Sequence, residues 1–192
     1  MDNIIEIRWH GRGGQGAKTA ALLFGDAAMS LGKYIQAFPE YGPERMGAPV
    51  ASFNRLSDKP ITLHCSITSP SIVLVLDPTL MSTVDVTAGL PEDGILVVNT
   101  SHKPKEVRDQ LKLKGKKIFT IDASKVSMDT IKKNIPNTPM LGALVKVSNL
   151  LKFEDVIKDI EKKLKKKFAH KPEVIDGNLE AVKRAYQEVV GE

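Results

Sequence analysis

Between Glu6 and Gly32 the chain reads EIRWHGRGGQGAKTAALLFGDAAMSLG, with four glycines in the six residues from Gly11 to Gly16. Before them, Ile4 to His10 alternates apolar and polar residues in the manner of a strand. After them, Ala17 to Leu31 is rich in alanine and leucine and reads as a helix. A strand that passes into a helix through so short a glycine turn brings backbone N–H groups together at a helix N-terminus. That arrangement suits an anion, and a phosphate above all. Gly11, Gly13 and Gly16 satisfy G-x-G-x-x-G in this strand–turn–helix context. The plain alternative is that the glycines only permit a tight connection.

Three phosphate-bearing ligands compete for the turn. NAD requires an acid at the end of the second strand to hold the ribose. The second predicted strand, YIQAF (Tyr34–Phe38), offers Gln36 there, and Glu40 lies beyond Pro39. For ATP the Walker form nearly appears, but Ala17 stands between Gly16 and Lys18. One extra residue turns the lysine about 100° around the helix, away from the phosphate. The third option is a ligand such as coenzyme A, or the edge of a cofactor held by a partner subunit. Arg12 lies in the turn itself, Gln15 offers a neutral hydrogen bond, and Arg45 adds a planar fork from a second loop, FPEYGPERMGAP (Phe38–Pro49).

The remaining chain reads as alternating strands and helices. Val50–Leu56 is a strand, and Lys59–Ile67 holds a short one. SIVLVLDP (Ser71–Pro78), GILVVNT (Gly94–Thr100) and KIFTIDA (Lys117–Ala123) are short apolar runs, the pattern of strands buried on both faces. KPKEVRDQLKLK forms a helix between the last two. After Asp122 the strands stop, and four segments of helical periodicity follow, punctuated by Pro136, Pro139 and Pro172. The prediction is one α/β domain over residues 1–192: a three-layer α/β/α, Rossmann-like arrangement on a mostly parallel sheet, with a helical C-terminal part from about residue 124.

Composition narrows the function. Of 28 basic residues 22 are lysine, the net charge is a mild +5, and aromatics are sparse, which argues against nucleic acid as a partner. The single cysteine, Cys65, cannot build a disulfide, a structural zinc site or an Fe–S cluster within this chain. No metal site is expected. No apolar run approaches the ~18 residues of a membrane span, and no leader precedes the first strand, so a cytoplasmic protein is expected.

Several residues have ordinary readings. His10 and His64 flank strand ends with no partners for a triad, Cys65 is expected to be a small buried side chain, and Asp77 to cap the turn after its strand. Glu44 reads as structural and not as a general base. EKKLKKKFAHK (Glu161–Lys171) reads as a solvated helix face, with an acidic partner or a neighbouring subunit as the alternatives.

Taken together, the glycine turn and the proline loop, HGRGGQGAKTAALLFGDA and FPEYGPERMGAPVASFNRLSDKPI, resemble the gamma subunits of pyruvate:ferredoxin oxidoreductases. VLVLDPTLM, NTPMLGALVK and KPEVIDGNLEAVKRAY extend the resemblance over nearly the whole chain. It implies a subunit of a complex that converts pyruvate and coenzyme A to acetyl-CoA and CO2 and passes electrons to ferredoxin. Thiamine diphosphate and Fe–S clusters would lie in partner alpha, beta and delta subunits, and the gamma chain would contribute no catalytic side chain. Carried over residue by residue, the coenzyme A site would comprise Gly11, Arg12, Gly13, Gly14, Gln15 and Gly16. Pro43, Glu44, Arg45 and Gly47 would form a second wall, and Met140 and Gly142 a third. Met46 stands where the family often has a second arginine. The alternatives are a gamma subunit acting on another 2-oxoacid and a non-catalytic assembly scaffold.

Overall fold

The three central strands follow directly from their composition. Short runs of Val, Ile and Leu with no polar face can be satisfied only where both sides of the sheet are covered. In the computed structural model, which describes residues 4–40 and 47–192, all four residues of β4 (Ile72–Val75) are buried. Beside it lie β5 (Ile95–Asn99) and β6 (Lys117–Ile121), each parallel to its neighbour. On the other side of β4 runs β1 (Ile5–Arg12), also parallel.

Beyond β1 the sheet changes character. Next to it comes β3 (Pro49–Ser57), antiparallel, with Ile5 opposite Leu56 and Arg12 opposite Pro49. The outer strand is β2 (Tyr34–Glu40), antiparallel to β3. The chain therefore winds outward on one side of β1 and then on the other, giving the order β2-β3-β1-β4-β5-β6-β7. Diverging connections at β1 and β4 leave a crevice between their carboxyl ends, the usual place for a ligand in an open α/β sheet. β2 runs on to Glu40, so an acid does end this strand, but because β3 intervenes that end is not beside the glycine turn where a nucleotide ribose would need it.

Three expectations fail. Residues 59–67 form no strand, because side chains claim their backbone groups. The Arg55 guanidinium donates to the Cys65 carbonyl at 2.7 Å, and the Gln36 amide donates to the Leu63 carbonyl at 2.9 Å. Cys65 is consequently exposed, not buried. Nor do the strands end at Asp122: β7 (Val190–Gly191) pairs antiparallel with β6 and covers an edge that would otherwise be open.

The layers are unequal. One face of the sheet carries α1 (Ala17–Ser30), α3 (Ala123–Ile131), α4 (Asn137–Ser148), α5 (Phe153–Lys167) and α6 (Pro172–Glu188), which share the larger core with Ile7, Trp9, Leu74 and Val97. The other face is covered by α2 (Pro104–Leu111) and by residues 78–90, where Leu80, Val86 and Leu90 meet Val73, Val75 and Leu96. Inside the larger core Trp9 donates its indole N–H to Asn54 at 2.8 Å, and Asn54 donates to the Ala21 carbonyl at 2.9 Å. A single polar relay thus ties β1, β3 and α1 together.

The opposite face of β1 buries charge. Arg55, 1% exposed, pairs with Glu6 at 2.8 Å, and Arg8 donates to the carbonyls of Val86 and Ala88. Near them His10 is 7% exposed, with Nε2 lacking a partner among the described residues. Burial, reinforced by the neighbouring Arg8 charge, depresses its pKa from 6.5 to about 4. Above pH 6.5 the group is neutral in both folded and unfolded chains and has no effect. As pH falls from 6.5 toward 4 the unfolded chain takes up a proton that the folded one refuses, so stability declines by about 3 kcal/mol. Urea unfolding at pH 7 and pH 4.5 is expected to show most of that loss, and His10→Gln to flatten it. An equal decline in the variant would assign the effect to other groups.

Candidate functional site

The glycine turn starts as an extension of the sheet. Gly11 and Arg12 are still paired in β1, opposite Val50 and Pro49, and the Gly13 N–H donates to the Ala48 carbonyl at 3.0 Å. The turn is thereby stitched to the end of the second loop. Gly14 and Gly16 both take left-handed backbone angles, φ 96° and 84°, which a side chain would strain. Gly16 is the N-cap of α1, so the cap residue supplies no side chain, and the first turn carries no acid. The N–H groups of a first helical turn have no acceptor within the helix. Here Ala17, Lys18 and Thr19 line a shallow cavity of about 270 Å³ with Arg12, Gly13, Gly14, Gly16 and Val50. Lys18 is exposed, on the second residue of the helix.

Behind the turn lies a hydrogen-bonded brace. Gln15 accepts the Arg12 N–H through Oε1 at 2.8 Å and donates through Nε2 to Asp77 at 2.7 Å. Arg12 pairs with the same carboxylate at 3.2 Å, donates to the Thr79 hydroxyl at 2.9 Å and to the Gly47 carbonyl at 3.1 Å. Asp77 also caps the following 3-10 turn (Pro78–Ser82) by accepting the Thr79 N–H at 2.9 Å. Its partial burial pushes the carboxyl pKa up. The hydrogen bonds from Thr79 and Gln15 and the Arg12 charge outweigh this and hold it below the ordinary carboxylate range.

The expected site residues therefore divide. Gly13, Gly14 and Gly16 line the cavity with Arg12, and Gly47 touches Arg12 from the second loop. Gly11 packs against Ala17 at the root of the turn. Gln15 is an internal brace, both ends of its amide being taken. Pro43, Glu44 and Arg45 lie outside the described residues. Met140 is fully buried in the larger core, and Gly142 is where α4 meets the backbone of α6; a Cβ there would lie 2.2 Å from the Val182 carbonyl oxygen. Both serve packing and form no wall of the cavity.

Sequence reasoning took Asp77 as a cap and missed its hold on the turn, because its partners stand 62 and more residues away. It also missed Asn137, the first residue of α4, whose side chain packs over Gly16. The signal was in view as the opening letter of NTPMLGALVK. Beyond the brace, a second cavity of about 170 Å³ lies between the ends of β1, β4 and β5, lined by Gln15, Asp77, Asn99, Ser124, Asn134 and Pro136. Asn99 fixes this end of the sheet, donating to the Leu76 carbonyl and accepting from the Ser124 N–H. No described helix is long and apolar enough to cross a membrane.

Comparison with known proteins places this arrangement. The family model for pyruvate ferredoxin/flavodoxin oxidoreductase matches residues 6–188. Pyruvate synthase subunit PorC of Thermotoga maritima is 50% identical over 185 residues, 96% of this chain and 94% of that protein. A crystal structure of pyruvate oxidoreductase subunit PORC (EC 1.2.7.1) from that organism superposes with a TM-score of 0.87 at 45% identity, over 98% of each chain. The common gamma subunit of the pyruvate and ketoisovalerate oxidoreductases of Pyrococcus abyssi is 47% identical over 184 residues, 96% of both chains. A likeness of fold alone extends to the 2-oxoglutarate:ferredoxin oxidoreductase of Magnetococcus marinus, solved with 2-oxoglutarate, coenzyme A and succinyl-CoA bound. Its TM-score is 0.77 at 19% identity, over 97% of this chain and 31% of that one.

Proposed function

The chain belongs to the pyruvate ferredoxin/flavodoxin oxidoreductase family as a gamma subunit of the pyruvate synthase type, and we propose that its task in the complex is to hold coenzyme A. The complex it serves converts pyruvate, coenzyme A and oxidised ferredoxin to acetyl-CoA, CO2 and reduced ferredoxin. The observation that carries the proposal is the uncapped start of α1, where first-turn N–H groups and two left-handed glycines line an open cavity. A phosphate of the coenzyme is the ligand such a cradle favours. The fold-sharing enzyme of Magnetococcus marinus, solved with coenzyme A, is consistent with that reading.

In this role the chain's own contribution is positional. Thiamine diphosphate and Fe–S clusters would belong to alpha, beta and delta partners and supply the decarboxylation and electron-transfer chemistry there. One cysteine cannot hold a cluster within this chain. The brace of Arg12, Gln15, Asp77 and Thr79 holds the turn in a fixed shape, so that a bound phosphate sets the reach of the thiol toward the partner subunits. Orientation of this kind can contribute several kcal/mol to a bimolecular step. The relative from Pyrococcus abyssi is common to pyruvate and ketoisovalerate enzymes. A subunit shared in that way does not distinguish the two acids, and we assign the choice of 2-oxoacid here to the partner chains as well.

Pyruvate-dependent viologen reduction by the assembled complex tests the reading. Arg12→Ala unties the turn from Gly47 and leaves the Asp77 carboxylate uncompensated beside it. It is expected to raise the KM for coenzyme A about tenfold, the equivalent of 1.4 kcal/mol, while the KM for pyruvate and the subunit composition stay unchanged. An unchanged KM for coenzyme A would sink the proposal. Loss of the complex with normal coenzyme A affinity in what remains would favour the assembly scaffold instead.

A further inference from the structure

We infer that the uncharged pantetheine arm of coenzyme A lies along the carboxyl ends of β4, β5 and β6, in a polar groove that contains Asp122, an inference that rests on the coenzyme A reading above. The groove holds a cavity of about 450 Å³, larger than the one at the glycine turn. Its walls come from the residues that follow each strand: Pro78 and Met81 after β4, Thr100 and Ser101 after β5, Asp122 and Ser124 after β6. Open α/β sheets bind their ligands at the carboxyl ends of the strands, and sites for small molecules measure about 300–1,000 Å³.

The groove is joined to the turn. The smaller cavity beyond Gln15 and Asp77 shares Pro78, Asn99 and Ser124 with it. Thr79 makes a second connection, lining the groove while its hydroxyl accepts from Arg12 and donates to Asp77. Neighbouring strands stand about 4.8 Å apart, so the path from β1 across β4 and β5 to β6 is about 14 Å, a distance that an extended pantetheine arm can cover. The floor along this path is preformed. Asn99 donates to the Leu76 carbonyl at 2.8 Å and to the Ser124 hydroxyl at 3.0 Å, and accepts the Ser124 N–H at 3.1 Å.

The lining decides which part of the coenzyme fits. Among the described residues no lysine or arginine lines the cavity, the imidazole of His102 is turned to Glu106 at 3.6 Å, and Asp122 brings a negative charge. A phosphate is repelled by such a surface. In nucleotide sites a carboxylate at a strand end suits a ribose with free hydroxyls, whereas a phosphorylated ribose is met by arginine. The ribose of coenzyme A carries a 3′-phosphate, so the nucleotide end is the wrong part for this groove. The pantetheine arm is uncharged and presents two amides, a hydroxyl and a pair of methyl groups. Asp122 accepts the Lys125 N–H through Oδ1 at 2.9 Å, and its other oxygen can accept a charge-assisted bond from an amide or hydroxyl of the arm. Gln110, from α2, offers both a donor and an acceptor, and Pro78 and Met81 give the methyl groups apolar contact.

The test uses the assembled complex, with two fragments of coenzyme A as competitors. S-methylpantetheine is the arm with its thiol blocked, and adenosine 3′,5′-bisphosphate is the nucleotide end. Asp122→Asn keeps the oxygen that caps α3 and removes the charge. Ser101→Trp fills the groove from an exposed position between β5 and α2. Each is expected to raise the KM for coenzyme A and the inhibition constant of S-methylpantetheine about tenfold. Inhibition by the bisphosphate should be unchanged, and the KM for pyruvate should stay within about twofold of the parent. If Asp122→Asn fails to assemble, Ser101→Trp, which touches no cap, reads the same split. An unchanged KM for coenzyme A would overturn the inference. So would a raised KM accompanied by weaker inhibition from the bisphosphate alone, since that would put the nucleotide end in the groove. Thr19→Asp, on the first turn of α1, separates the two levels. If it raises the KM for coenzyme A and the groove variants do not, only the groove fails. If none of them does, the coenzyme A reading fails with it.

Discussion

Thr19→Asp is expected to raise the KM for coenzyme A tenfold or more while leaving the chain as stable as before, or slightly more so. Thr19 is exposed on the third residue of α1, whose first turn carries no acid and no side-chain cap. A carboxylate at that position favours the helix, because it meets the positive end of the dipole, by about 0.3–1 kcal/mol. The same carboxylate competes for the N–H groups that would hold the ligand. Repulsion between unit charges about 6 Å apart, at an effective dielectric of about 20–40, is of order 1.4–3 kcal/mol, or about tenfold and more in affinity. Stability and affinity therefore move in opposite directions. Thermal unfolding of the chain together with the KM for coenzyme A of the complex reads both. A raised melting temperature with an unchanged KM would mean that the turn serves only as a connection.

Gly142→Ala is expected to do the reverse, damaging the fold and sparing the site. A Cβ at this position would lie 2.2 Å from a backbone oxygen of α6, a contact no rotamer can relieve. The two helices would have to separate, and with them a core in which Met140, Leu141, Leu144, Ala181, Val182 and Ala185 are packed together. Overpacking of this kind costs about 1–3 kcal/mol and more when backbone must shift. For a chain of this size that corresponds to a fall of about 4–10 °C in the melting temperature. Whatever complex still assembles should bind coenzyme A normally. A melting temperature unchanged by the methyl group, or a selective loss of coenzyme A affinity, would return Gly142 to the ligand site.

The contrast between these two glycine-containing segments shows where sequence reasoning has its limits. GRGGQG and PMLGALV both look like places where backbone approaches something closely, and both are. The first opens on a cavity and the second on another helix. Nothing local distinguishes them, because the partner of Gly142 lies 40 residues further on and is itself backbone. Gln15 illustrates the same limit for a side chain. Its amide is a reasonable ligand group until Asp77, from the end of β4, is found to occupy it. The missing strand at residues 59–67 has a similar origin: its carbonyls are taken by Arg55 and Gln36, residues of two other strands.

By itself the sequence determined most of the elements, all but the absent strand at residues 59–67 and the unforeseen β7, and the chemistry available to them. Period-two alternation, apolar β-branched runs and amphipathic helices specify a buried, mostly parallel sheet with helices. Glycines at four of six positions specify a turn that exposes N–H groups, and one cysteine rules out a cluster within the chain. These follow from local geometry, since they depend on residues a few positions apart. Only the tertiary structure decided that an antiparallel strand separates β2 from β1, that Asp77 anchors the turn, and that Asn137 leans over Gly16. Each depends on groups brought together across 40 to 120 residues by core packing. The apolar contacts that do this carry little directional information in the sequence, whereas the hydrogen bonds they position demand placement to within a few tenths of an ångström.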